Sequence, residues 1–511
     1  MKPINPITRA DYPDPDIIRV GNVYYMISTT MYFMPGGEIL RSYDLIHWEI
    51  AAHIFDSLDD TPAERLEGTE NCYGKGMWAA TLRYHKGRFY VIFVSHGQED
   101  THLFLSDSIE GPWEHRKLRG YYHDCSLLFD EDRVFLVYGN MQIHLTELND
   151  ALTGPKIGGV DEIIIKDDPE QVFLGYEGSH FYKINGKYYI TLIHWPKSTS
   201  RRTEAVFVSD SVTGPYIGRD VCWDDMGYHG QGVAQGGIVD TPEGDWYSIM
   251  FRDSGAIGRV PVLVPVHFDG QWPVFGDDGK IPEQFQTVDG NPGYVYESSF
   301  TSDFFCGETG KQPTLKPQWQ WNHVPNPALW AKASEGGLQI TTGKLCTNLI
   351  QAQNVLTQRM SYPRCAGTVT IDASGIREGD YAGLCAHQGC YAMIGVTRTE
   401  DRYELVRIEK LEPVAGFGIG SNDREPGVIT ERIPLDTPVV RVRIEGFFED
   451  MEDRVTLSYE KDGSFLPLGG DHKLTFRLDH FTGARFGLAI FSTKTVGGTA
   501  VFRDFVYEHK E

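Results

Sequence analysis

Along the first part of the chain, a short apolar run, a turn rich in Gly, Asn or Asp, and a second, aromatic-rich apolar run recur in the same order. The first copy is Ile17-Ile18-Arg19-Val20, the turn Gly21-Asn22, then Val23-Tyr24-Tyr25-Met26-Ile27. Apolar and β-branched runs bounded by such turns predict paired strands. The second copy runs from Trp78 to Tyr84, turns at Lys86-Gly87 and resumes with Phe89-Tyr90-Val91-Ile92-Phe93; the third begins Asp124-Cys125-Ser126-Leu127 and resumes at Val134-Phe135-Leu136. The fourth, Glu177-Gly178-Ser179-His180, turns at Asn185-Gly186 before Tyr188-Tyr189-Ile190, and the fifth, Gly236-Gly237-Ile238-Val239, turns at Glu243-Gly244 before Trp246-Tyr247. Gly111-Pro112-Trp113 and Gly214-Pro215-Tyr216 close the second and fourth. Copies lie roughly 45 to 65 residues apart, which suits four-stranded blades arranged about an axis. Five copies predict a five-bladed β-propeller over residues 1–290.

The register is lost after Trp272-Pro273-Val274, and residues 291–316 read as a connector rich in Gly, Pro, Ser and Thr. Period-two alternation returns in Leu338-Gln339-Ile340, in Val439-Val440-Arg441-Val442-Arg443-Ile444 and in Arg485-Phe486-Gly487-Leu488. Residues 317–511 are therefore expected to form a β-sandwich. No amphipathic helix of ordinary length is visible, so the fold class is all-β.

The repeat also aligns chemistry. Asp14 precedes Tyr25 by eleven residues, Trp78 precedes Tyr90 by twelve, Asp124 precedes Phe135 by eleven and Glu177 precedes Tyr189 by twelve. In the fifth copy this place falls at Gln235 or Gly236, with His229 upstream. Residues at the tops of innermost propeller strands converge on the axis, so three carboxylates are expected to meet beside an indole. Each alone is also ordinary turn or blade-packing chemistry; their shared register is what points to a site. Pro13 and Pro15 are expected to hold Asp14 stiff and extended. Converging carboxylates raise one another's pKa, which supplies an acid and a base from one residue type. Glycoside hydrolysis needs that pair, with an aromatic face for the sugar ring.

Bulk properties narrow the partners. A formal net charge of −24 disfavours nucleic acid and anionic membrane and favours a neutral or cationic ligand. The N-terminus lacks an apolar leader, and no run of about 18 apolar residues occurs, so a cytoplasmic protein acting on short, transportable substrates is expected. The eight cysteines lack framework spacing and read as reduced thiols; Cys385 and Cys390 flank His387 without the paired spacing of a zinc site.

Tyr12-Pro13-Asp14-Pro15-Asp16, Gly76-Met77-Trp78-Ala79-Ala80, Asp124-Cys125-Ser126-Leu127 and Glu177-Gly178 together resemble the motifs of glycoside hydrolase family 43, propeller enzymes acting on β-xylosides and α-L-arabinofuranosides. Ala80 stands where proline is common. Trp319-Gln320-Trp321-Asn322-His323 and Ala382-Gly383-Leu384-Cys385 resemble the concanavalin-like sandwich appended in its xylosidase branch. The resemblance implies inversion, with Asp14 as general base, Glu177 as general acid and Asp124 orienting Glu177. Arg259 resembles an arginine that touches sugar and carboxylates and would keep Asp14 and Asp124 ionised while Glu177 stays protonated. Phe33, in Met31-Tyr32-Phe33-Met34-Pro35-Gly36, is expected in the pocket wall, and Gln235 beside the sugar. Ala234 replaces a histidine that many members associate with a calcium ion or water cluster on the axis; His229 is a weak substitute as metal ligand, so no cofactor is required and a structural calcium is possible rather than expected. The resulting expectation is an exo-α-L-arabinofuranosidase on arabinoxylan-derived oligosaccharides. A β-xylosidase is the alternative, and a non-catalytic carbohydrate-binding propeller a third reading.

Overall fold

The structure, a computed structural model, describes residues 4–96, 100–400, 402–411, 419–421 and 423–510. The predicted hairpins form and continue outward into five separate antiparallel sheets arranged as blades. The first blade is Asp16–Val20, Val23–Ile27, Gly36–Ser42 and Glu49–Phe55; the third is Ser126–Asp130, Arg133–Tyr138, Gln142–Leu148 and Asp161–Lys166. The fourth starts with the long strand Val172–Ile184 and the fifth with Ala234–Asp240. In the second blade the innermost strand is broken: Arg88–His96 pairs with both Thr81–His85 and Gly76–Met77, and Trp78 lies in the gap.

One residue from each blade reaches the axis. Asp16, Thr81, Ser126 and His180 oppose Ile27, Ile92, Val137 and Thr191 at equal offsets, and Gly237 opposes Ile249. Asp16 is fully buried there and accepts from Thr81 Oγ1 (2.8 Å), Leu82 N (2.7 Å) and Arg83 (2.7 Å), with His180 Nδ1 at 3.0 Å. Burial alone would raise its pKa, but the Arg83 and His180 charges outweigh that and lower it. A Cβ on Gly237 would sit 2.8 Å from Asp16 Oδ1, so only glycine fits. The N-terminal segment runs along the fifth blade, where the Asn5 side chain pairs with both backbone groups of Leu263.

The C-terminal half is a sandwich of two antiparallel sheets around one apolar core containing Trp319, Trp321, Val369, Leu384, Ile444, Phe486 and Phe502. The connector is packed against both domains. Tyr294 Oη donates to Glu49 and Tyr296 Oη accepts from Tyr43 N in the first blade, whereas Phe305 already lies in the sandwich core. Propeller residues Phe33–Met34 extend a sandwich sheet by pairing with Gln320–Asn322. Beside that seam, Arg359 donates to both oxygens of Glu38 at 3.0 and 2.8 Å, with both side chains buried. All eight cysteines are unbridged.

Candidate active site

Asp14 and Asp124 occupy equivalent places two residues before the axial ring, and Gly178 and Gln235 share that register. All four have left-handed backbone, with φ of 52°, 47°, 63° and 57°. Asp14 is therefore not extended as its flanking prolines suggest. Aspartate tolerates this conformation better than most residues, and here the carboxylate is tied on both oxygens: Thr29 Oγ1 donates at 2.8 Å and Arg259 at 2.7 Å. Trp78 and Glu177 sit one residue earlier in the repeat. Glu177 reaches the group because the strand Val172–Ile184 bulges between Glu177 and His180, which re-aims its side chain.

Arg259 is buried and anchored from several sides. Its guanidinium bonds Asp14 and lies 3.3 Å from Asp253, its backbone N–H donates to Asp11 at 2.7 Å, and its planar group lies between the rings of Phe251 (4.5 Å) and Phe481 (4.7 Å). Phe481 comes from the sandwich. The same Asp11 accepts from Gly483 N at 2.7 Å, so one carboxylate fixes both the arginine and the loop that carries Phe481. A Cβ on Gly258 would stand 2.2 Å from Asp11, which explains the glycine there.

Trp78 stacks on His96 at 4.7 Å and 11°, with Phe481 at 5.6 Å on another side and His123 at 6.0 Å. His123 Nε2 lies 3.7 Å from Asp124 and 3.6 Å from Glu177. Asp124 also accepts from Gly178 N at 3.1 Å, and Asn140 donates to Glu177. Two chains of contact thus leave Trp78, one through Phe481 and Arg259 to Asp14, the other through His123 to Asp124 and Glu177. Beside them a cavity of about 300 Å³ is lined by Arg202, Gln231, Asp253, Arg259, Phe476 and Phe481.

Electrostatically the site departs from the expected pattern. The charge of Asp124, opposed by burial and helped by Glu177, pushes His123 up to about 9. Burial raises Asp124 to about 6, with His123 opposing and Glu177 and Asp14 adding to it. For Glu177 burial also raises the pKa, but the hydrogen bond and charge of His123 overcome it and the net direction is down. The direction for Glu177 is thus opposite to the protonated acid expected there, because the neighbouring His123 charge favours its anion. His123 adjoins Asp124 in sequence, and a basic residue next to a candidate carboxylate was the signal available. Phe481 and Asp11 carried none, because their partners lie hundreds of residues away.

Gln235 lies against the acid-bearing turn: a Cβ on Gly178 would fall 2.7 Å from its side-chain carbons. Its backbone N–H donates at 2.7 Å to Glu204, which burial raises to about 8. Phe33 is not in the pocket wall. It is 1% exposed, pairs with the sandwich through its backbone and carries Arg485 over its ring at 3.6 Å, because the segment was recruited into the domain seam. His229 does not join the carboxylates either; its Nε2 is 2.7 Å from Asp450 at the surface. Calcium prefers six to eight oxygens. On the axis, Ala234 offers no ligand atom and the Asp16 oxygens are taken by N–H and O–H donors, a poor match for that ion. His123, Asp124 and Glu177 place ligand atoms within 4.8 Å of one another, the one such grouping among the described residues, and their mutual ion pairs account for it.

Residues 3–273 match the Glycosyl hydrolases family 43 and residues 311–508 match the Beta xylosidase C-terminal Concanavalin A-like domain. The chain belongs to glycoside hydrolase family 43. It is a glycosidase acting on oligosaccharide substrates. A beta-xylosidase of Formosa agariphila is 26% identical, covering 99% of this chain and 90% of the relative. A non-reducing end alpha-L-arabinofuranosidase of Bacteroides ovatus is 29% identical, covering 79% and 77%. Among solved structures, a bifunctional GH43-CE protein of Bacteroides eggerthii is 38% identical with a TM-score of 0.90; the match covers all of this chain and 64% of that one.

Proposed function

We propose that this family 43 enzyme is an inverting exo-glycosidase that releases terminal α-L-arabinofuranose from arabinoxylan-derived oligosaccharides. The observation that carries the reading is the convergence of Asp14, Asp124 and Glu177 around Trp78, through the Phe481–Arg259 and His123 contacts, beside the cavity that Arg259 and Phe481 line. A cavity of about 300 Å³, at the small end of ligand-site volumes, suits one terminal sugar better than a mid-chain segment. In this reading Asp14, oriented by Thr29 and Arg259, takes a proton from water as the water oxygen bonds to the anomeric carbon. Glu177 gives its proton to the glycosidic oxygen as that bond breaks. His123 sits where it can return a proton to Glu177. Asp124 holds His123 and the turn at Gly178 in place. Trp78 offers an indole face to the sugar.

β-Xylosidase activity is the second reading, favoured equally by the names of the relatives. One pocket contact can decide between pentoses that share most hydroxyls. Purified protein assayed on aryl α-L-arabinofuranoside and aryl β-xyloside separates the two. Turnover of neither would sink both. Glu177→Ala is expected to lower kcat on the preferred aryl substrate about 10²- to 10⁴-fold; turnover near the unaltered enzyme's would remove Glu177 from the acid role.

A further inference from the structure

A second, larger cavity lies at the seam between the first blade and the sandwich. Its volume is about 730 Å³, within the range of roughly 300–1,000 Å³ typical of ligand sites. The side chains that give it character are Trp321, Trp330, Asp56, Arg65, Gln312 and Gln353, with prolines 35, 325 and 327 between them. None belongs to the catalytic group. The buried layer of Tyr32, Phe33, Tyr73 and His323 occupies the same seam, built from Tyr32–His323 and Tyr73–His323 ring contacts at 4.9 and 4.7 Å.

The lining is neither an apolar slot nor a charge pocket. Trp321 and Trp330 pack tilted at 4.9 Å and 50°, with Trp321 almost fully buried and Trp330 partly exposed. Around them stand planar polar groups, three of which are held by neighbours. Arg65 is braced by Asp60 at 2.9 Å and Glu67 at 2.8 Å. Gln312 donates to Pro327 O at 2.8 Å and Gln353 to Arg65 O at 2.9 Å. An indole surface takes the C–H face of a sugar ring, and carboxylate, guanidinium and amide groups take its hydroxyls. The surplus of acids over the one arginine disfavours an anionic ligand. The volume, more than twice that of the cavity beside Arg259 and Phe481, suits several sugars of a chain.

We propose that this seam cavity is a second carbohydrate-binding site, which holds a neutral pentose-chain segment away from the catalytic pocket. The inference rests on the proposed function for its choice of sugar. The test uses linear 1,4-β-xylohexaose titrated calorimetrically into Glu177→Gln enzyme, so that the probe is not consumed. One binding event at the seam is expected, joined by a second at the catalytic pocket if that pocket accepts terminal xylose. Adding Trp330→Ala should remove the seam event, and adding Trp78→Ala should leave it in place. Because Trp330 also packs on Trp321, the rim variants Asp56→Ala and Gln312→Ala serve as independent controls, each expected to weaken the seam event severalfold. In otherwise unaltered enzyme, Trp330→Ala should leave kcat/KM on the preferred aryl pentoside unchanged. No binding event in Glu177→Gln, or binding that is insensitive to Trp330→Ala and to both rim variants, overturns the inference. Absence of pentoside turnover by the unaltered enzyme would instead overturn the proposed function, and the titration remains a separate readout.

Discussion

At the scale of single residues the distinctive feature is a histidine lying between two carboxylates. An isolated glutamic acid in a buried pocket would hold its own proton, because desolvation disfavours its anion. Here His123, raised to about 9, carries the proton and lowers Glu177, while Asp124 rises to about 6. The three titrate as a group, and the group keeps a transferable proton until the pH passes through the raised histidine value. Replacing His123 with Asn removes that cation, so the proton must then reside on a carboxyl with a lower pKa than the imidazolium had. The basic limb of the kcat/KM profile is accordingly expected to move to lower pH by about one to two units. A pH profile of His123→Asn on the preferred aryl pentoside checks this. A limb left where it was would show that the imidazolium does not govern the acid.

At the scale of elements, each blade contributes one inner strand and the sandwich contributes a loop. The inner strands were legible because period-two alternation and a constant aromatic offset are local signals, carried within about a dozen residues. That offset brought Asp14, Asp124 and Glu177 together and also located Gln235. It blurred one detail: eleven- and twelve-residue offsets are different places, and Trp78 and Glu177 precede the register of Asp14 by one residue, through a strand break and a bulge. Phe33 was misplaced because its short strand pairs with Gln320–Asn322, a partner that no local pattern announces. The loop bearing Phe481 was invisible for the same reason, since its anchor Asp11 is 472 residues from Gly483. Phe481 touches both Trp78 and the Arg259 guanidinium. Its removal should open the pocket without touching the carboxylates. Phe481→Ala is expected to raise KM for the aryl pentoside about tenfold, the loss of one aromatic and one cation–π contact, with a smaller change in kcat. Equal loss in kcat and kcat/KM with KM constant would mean that the ring acts in the transition state alone.

At the scale of the molecule, the buried Glu38–Arg359 ion pair ties the catalytic propeller to the sandwich. Arg359 also donates to Asp11 O at 2.8 Å and lies over the Tyr12 ring at 4.2 Å, so it supports the segment leading into Asp14. Burial would raise Glu38, but the Arg359 charge and the His53 hydrogen bond and charge overcome it and depress its pKa. A depressed folded pKa contributes stability that is present above the unfolded value, about 4.3, and is lost as pH falls through the folded one. Removing one partner leaves a buried charge with inadequate compensation, at a cost of about 3–5 kcal/mol, whereas replacing both by uncharged groups of similar size restores much of it. Arg359→Met should therefore shift the urea midpoint strongly downward at pH 7. Arg359→Met with Glu38→Gln should recover most of the shift and lose the part of the acid dependence below about pH 4.3 that Glu38 carries. The comparison is made by urea unfolding at pH 7 and pH 4, with pentoside turnover measured in parallel at pH 7. If Arg359→Met loses activity in step with the folded fraction, the pair acts through stability. If activity falls while the protein remains folded, the pair also positions Asp11, and through it Arg259 and the Phe481 loop. A single variant as stable as the unaltered chain would show that the ion pair contributes nothing to holding the domains together.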